Sequence, residues 1–146
     1  MKNNRGFSLL ELLIVVAIIL IIATIAIPSL LRSRQSAQES SAVAQVRTVN
    51  TAEITYLSSN QGSYGQIPEL ITQGLLDTRF AGSVSGYSFT VTASGSDYTV
   101  TATPTSTNAG RFGYWSAPDA VIRYQSSSGG TCVPCFPTGL SGSPVQ

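Results

Sequence analysis

The sequence predicts an α+β fold in which one long N-terminal helix, kinked at a proline, packs on a four-stranded antiparallel sheet. Three observations carry that reading. From Leu12 to Ile27 only Thr24 is polar, and no charged residue falls between Glu11 and Arg32. From Val43 to Leu57 apolar residues recur at spacings of three and four, the repeat of an amphipathic helix. From Tyr87 onward the apolar period changes to two, the repeat of half-buried strands.

The first element is residues 7–31. A helix rises about 1.5 Å per residue, so Phe7 to Ile27 covers about 31 Å, the thickness of a bilayer's hydrocarbon core. Backbone groups left unpaired in lipid are costly, which makes such a stretch helical there. It reads as a membrane span. Pro28 lacks an N–H and presses on the preceding turn, so a kink is expected near residues 24–28. Residues 32–59 continue as an amphipathic helix. Val43, Val46, Val49, Ala52, Tyr56 and Leu57 face the core, while Glu39, Arg47 and Glu53 are placed on the polar side. Ser58-Ser59-Asn60-Gln61-Gly62 supplies the stop.

Residues 60–85 form a loop between helix and sheet, with a short helix expected over Pro68–Leu76. The sheet occupies residues 86–124. Tyr87, Phe89 and Val91 alternate with Ser88, Thr90 and Thr92, and Tyr98, Val100 and Ala102 alternate with Thr99, Thr101 and Thr103. Ser94-Gly95-Ser96-Asp97 turns the chain between them. A second pair, Arg111–Trp115 and Ala120–Tyr124, is joined by Ser116-Ala117-Pro118-Asp119. One apolar face of these four strands lies against Val43–Leu57. Residues 125–146 are a Ser/Gly/Pro-rich C-terminal tail.

Composition excludes several chemistries. The chain of 146 residues has a formal net charge of +1 and no histidine. Without histidine there is no Ser–His–Asp or Cys–His arrangement and no imidazole metal ligand. Lys and Arg are not clustered, so there is no nucleic-acid footprint. Asp77, Asp97 and Asp119 are spread over separate turns, and no Asp-x-Asp-x-Asp-Gly loop supports calcium. Twelve aromatics alternate with Ser and Thr as core residues do, not as a cofactor path. Cys132 and Cys135, in Cys-Val-Pro-Cys, have no second pair to complete a zinc site and no βαβ setting for redox work. They read as a small structural disulfide in an oxidising exterior. No cofactor is expected, and no enzyme.

Glu11 is out of place in the span. A carboxylate in hydrocarbon costs on the order of 2.5–3.5 kcal/mol on insertion scales, so it needs a partner. The nearest available cation is a free amino group at Phe7, which exists only if the chain is cut after Gly6. The piece removed, Met1-Lys2-Asn3-Asn4-Arg5-Gly6, is short, basic and glycine-ended. An ordinary secretory signal has a small-residue cleavage site after its apolar core, and this run instead passes into a polar helix. Lys2 and Arg5 ahead of the span place the N-terminus in the cytoplasm.

The stretch Lys2…Arg5-Gly6-Phe7-Ser8-Leu9-Leu10-Glu11-Leu12-Leu13-Ile14-Val15-Val16 resembles the class III signal of type IV pilins and of type II secretion pseudopilins. Pro28 and the exit Arg32-Ser33-Arg34 share in that likeness. The resemblance implies that residues 1–6 are a leader. A prepilin peptidase in the bacterial inner membrane would remove it between Gly6 and Phe7 and then N-methylate Phe7. It implies that Glu11 neutralises the N-terminal amine of a neighbouring subunit. It also implies a long helix under a four-stranded antiparallel sheet. The implied function is a structural subunit that polymerises through its N-terminal helix into a type IV pilus-like filament. Its partners would be lipid before assembly, copies of itself and other pilins, and an inner-membrane assembly platform, with no nucleic acid required. The mature protein would pass from the inner membrane to an extracellular pilus or a periplasm-spanning pseudopilus. The alternative within the likeness is a pseudopilin of a type II secretion system. A signal-anchored periplasmic binding module or enzyme is the reading from a different class, and the lack of histidine and of clustered carboxylates counts against the enzyme.

Overall fold

The computed structural model describes residues 7–126 and 142–145. The chain divides into two compact units, Met1–Ser33 and Arg34–Gln146. The first helix, α1, is assigned over Leu9–Ser59 with Pro28 inside it. In the first unit its large apolar side chains from Phe7 to Leu31 are 45–80% exposed. At Pro28 the ring removes the N–H that the Thr24 carbonyl would otherwise accept. The Thr24 hydroxyl meanwhile donates to the Ile21 carbonyl at 2.7 Å, the back-bonding that lets a short polar side chain sit in an apolar helix.

The second unit is an α+β layer. After α1 come α2 (Ile67–Thr72), a 3-10 turn (Thr78–Ala81) and six strands: β1 (Ser83–Val84), β2 (Tyr87–Ser94), β3 (Asp97–Pro104), β4 (Phe112–Ser116), β5 (Arg123–Ser126) and β6 (Ser143–Pro144). They pair in chain order, each antiparallel to the next. The sequence predicts four strands; the other two, β1 and β6, are two residues each. A two-residue strand shows no alternation, so it leaves no period to read. Expected Pro68–Leu76 shortens to α2, where the Gln66 N–H donates to Glu69 Oε2 at 2.7 Å and Pro68 occupies the first turn.

Alternation along β2 and β3 sorts the two faces. Tyr87, Phe89 and Val91, with Tyr98, Val100 and Ala102, are buried against α1. On the opposite face Thr90, Thr101, Thr92 and Thr99 stand in cross-strand pairs. The helix contributes Ala42, Val46 and Val49, all fully buried, and Ala52. Aromatic edges fill the ends of this core, with Phe80 on Phe89 at 5.4 Å and Phe112 on Tyr124 at 5.2 Å between centroids. Burial pushes the Tyr114 phenol up to about 12, and the nearby Glu39 carboxylate adds to the shift.

The placement of Glu39 and Glu53 on the polar side of the helix is overturned. Both are buried, Glu53 fully and Glu39 at 6% exposure. Each is buried because a distant segment satisfies it. Glu39 Oε1 accepts from the Arg111 N–H at 2.7 Å and from its Nε at 3.1 Å, and Oε2 accepts from its Nη2 at 2.8 Å. Glu53 Oε2 accepts from the Gly65 N–H at 3.1 Å. Arg47 remains exposed, as expected. A third polar contact ties helix to sheet: the buried Asn50 amide donates to Ser116 Oγ at 2.8 Å and accepts from the Tyr98 hydroxyl at 3.1 Å.

Two stability predictions follow from this packing. The Arg111 side chain is 58% exposed whereas that of Glu39 is 8% exposed, so water replaces Glu39 for Arg111 far better than the reverse. Arg111→Ala should destabilise by about 2–3 kcal/mol, because it leaves a buried carboxylate with one backbone N–H, and Glu39→Gln by only about 1 kcal/mol. Thermal unfolding of the full chain in detergent ranks the two; equal losses would contradict the asymmetry. Separately, Ala120 holds a left-handed backbone with φ of 57° in the turn before β5. Ala120→Gly should therefore raise stability by about 0.5–1 kcal/mol in the same measurement.

Candidate assembly site

The start of α1 is built by Ser8, whose carbonyl accepts from the N–H groups of Glu11 at 3.1 Å and Leu12 at 3.2 Å. Glu11 thereby falls in the first helical turn. There the unpaired N–H groups and the positive end of the helix dipole favour a negative side chain. Phe7 lies just ahead of the helix, four residues from Glu11, and is 75% exposed. Glu11 is exposed as well and makes no side-chain hydrogen bond or ion pair among the described residues.

One side of the same helix is a shallow apolar groove of Leu9, Leu12, Leu13, Val16, Ala17 and Leu20. Their spacings alternate between three and one, which keeps all six on a single stripe about 100° wide or more. The helix is long and apolar enough to cross a membrane. Chemically the arrangement offers packing surface along its length and one carboxylate at its head. Of the residues singled out by sequence, Phe7 and Glu11 share this head and Pro28 lies inside the helix. Gly6, Cys132 and Cys135 lie outside the described residues.

In the second unit a groove of about 610 Å³ runs along α1 between Ser36, Glu39, Val43, Tyr114, Tyr124 and Val145. Its one carboxylate, Glu39, has both oxygens engaged by Arg111, whose guanidinium is held more firmly protonated by that contact. Glu39 therefore holds the helix to the sheet. Sequence reasoning missed Glu39 and Glu53, and a signal was present. They complete the series 39, 42, 46, 49, 53, a run of alternating threes and fours in which both ends are acids.

Comparison with known proteins bears on the head of the helix first. Residues 1–27 match the family model described as the prokaryotic N-terminal methylation motif. The chain is 36% identical over 78 residues to the type IV wide pilus major component of Thermus thermophilus, covering 53% of this chain and 60% of the relative. It is 44% identical over 56 residues to the type IV major pilin protein of Myxococcus xanthus, covering 38% of this chain and 26% of the relative. The chain thus matches less than two thirds of the length of each. The chain carries the N-terminal methylation motif and is similar, over part of its length, to two type IV pilins.

Proposed function

We propose that this chain is the precursor of a subunit of a type IV pilus-like filament. The observation that carries the reading is a run of large apolar side chains from Phe7 to Leu31, exposed throughout and headed by one acid. Before assembly, lipid covers that surface; afterwards, the same helices of neighbouring copies cover it. A prepilin peptidase cuts between Gly6 and Phe7 and methylates the new amine. Lys2 and Arg5 hold the N-terminus on the cytoplasmic side of the inner membrane until an assembly platform lifts the subunit out. Pilus is favoured over secretion pseudopilus because both relatives carry pilus or pilin in their names.

Glu11 sets the register of the polymer. Its carboxylate pairs with the Phe7 amine of an adjacent copy in a low-dielectric core, where a mismatched docking depth leaves both charges buried and alone.

Intact-mass measurement of the filament subunit should give a chain starting at Phe7 with one added methyl group. A mass starting at Met1, or beyond Phe7, contradicts the reading. Gly6→Leu should leave uncut precursor in the membrane. Glu11→Val should be cut and held in the membrane normally while the sheared filament fraction drops at least tenfold, with Glu11→Asp falling between it and wild type. Normal filament yield from Glu11→Val would remove the acid from the assembly contact.

A further inference from the structure

Glu53 is the most deeply buried acid among the described residues, with no exposed surface at all. One oxygen, Oε2, accepts from the Gly65 N–H. The other, Oε1, is buried without any hydrogen-bond partner. A carboxylic acid tolerates that environment far better than a carboxylate, which needs each oxygen solvated or paired.

The Gly65 contact closes a strap, residues 60–66, that leads from the end of α1 to α2. Four observations define the closure. The Tyr64 N–H donates to the Gly95 carbonyl at 3.1 Å in the β2–β3 turn. The Tyr64 ring rests on that of Tyr98 at 4.5 Å. Gly65 is pressed so close to the ring of Tyr56 that an added Cβ would lie 2.9 Å from it. The positive φ values of Gln61 and Gly62, 54° and 80°, reverse the chain at the strap's outer end. Glu53 is thus the one carboxyl on the helix side of this strap.

The groups around it offer no compensation for a charge. On α2, Glu69 adds like-charge repulsion. On β3 the Tyr98 phenol is itself pushed up by burial, Tyr64 and Glu53, with Asp119 adding to the effect. Tyr64 on the strap and Tyr56 on α1 bring rings to this region and no cation. No Lys or Arg among the described residues bears on the Glu53 carboxyl.

We propose that Glu53 is a proton-operated latch: the strap 60–66 is closed on α1 while the carboxyl is protonated and is released when it ionises. Burial raises the carboxyl from 4.5 to about 6, against a smaller downward pull from the Gly65 N–H. A folded value above the unfolded one means the closed state holds the proton more tightly. Closure is therefore fully favoured below about pH 4.5 and weakens as pH rises through 6. The difference of about 1.5 units corresponds to about a 30-fold rise in the opening constant by neutral pH. Opening frees Gly65 and Tyr64 and uncovers Tyr98, which is 1% exposed when the strap is shut. The surface the second unit presents beside α2 then depends on the acidity of its surroundings.

The test is hydrogen exchange of the full chain in detergent between pH 4 and 8, with each amide compared between wild type and Glu53→Gln so that intrinsic exchange cancels. The Gly65 and Tyr64 amides of wild type should lose about 30-fold protection relative to the variant across pH 4.5–7, while those of Val46, Val49 and Val100 do not change. Matching profiles in the two proteins would overturn the latch, as would an equal loss at all core amides, which would make the effect global. A carbon-detected titration of the Glu53 carboxyl in wild type needs no variant. A midpoint near 6 supports the latch, and one at or below 4.5 overturns it.

Discussion

A run of twenty uncharged residues, 12–31, constrains everything else about this chain. Side chains of that kind are driven out of water at about 25 cal/mol per Å² of apolar surface, and among the described residues nothing covers them in the first unit. Under the proposed function that surface is covered by lipid and then by other copies. A helix is the form that can serve both, because its backbone hydrogen bonds are internal and do not have to be remade when one environment replaces the other. The methylation motif occupies the head of the same helix.

The second unit meets a different constraint. It has a small core and few charges, and it joins the helix to the sheet and to the strap 60–66 by polar contacts within the apolar layer. Glu39 with Arg111, Asn50 with Ser116 and Tyr98, and Glu53 with Gly65 occur at intervals along one face of α1. Apolar packing fixes that the helix lies on the sheet, but Ala and Val side chains slide past one another at little cost. Directional bonds at these points fix rotation and register, since a shift of one residue would strand a buried carboxylate. The three are not equivalent. Glu39 is fully partnered by a charge, Asn50 by neutral groups, and Glu53 by a single N–H, so Glu53 is the weakest tie.

The end of each element shows how local chemistry and long-range packing divide the work. Gln61 and Gly62 turn the chain out of α1 by backbone conformation alone. Gly110, by contrast, is small because Tyr87 needs the space: a Cβ there would run into the Tyr87 hydroxyl, which donates to the Phe112 carbonyl at 2.9 Å. The first requirement is written in the turn residues themselves. The second exists only once β2 and β4 are in place.

What the sequence determined by itself is whatever depends on neighbours a few positions away. The long apolar run, the amphipathic half of α1, the two long strands with their turn at Ser94–Asp97, and the N-terminal methylation motif were all legible, because helical and strand periods and short sequence motifs are local properties. Tertiary structure decided what depends on distant partners. Strands β1 and β6 exist because β2 and β5 offer them an edge, and two residues carry no period of their own. Glu39 looks like a solvent-facing acid until Arg111, 72 residues on, folds back to it. Glu53 looks the same until Gly65 closes over it. The spacing 39, 42, 46, 49, 53 puts both acids on the core face, but it holds no record of the partners that the fold brings in to satisfy them.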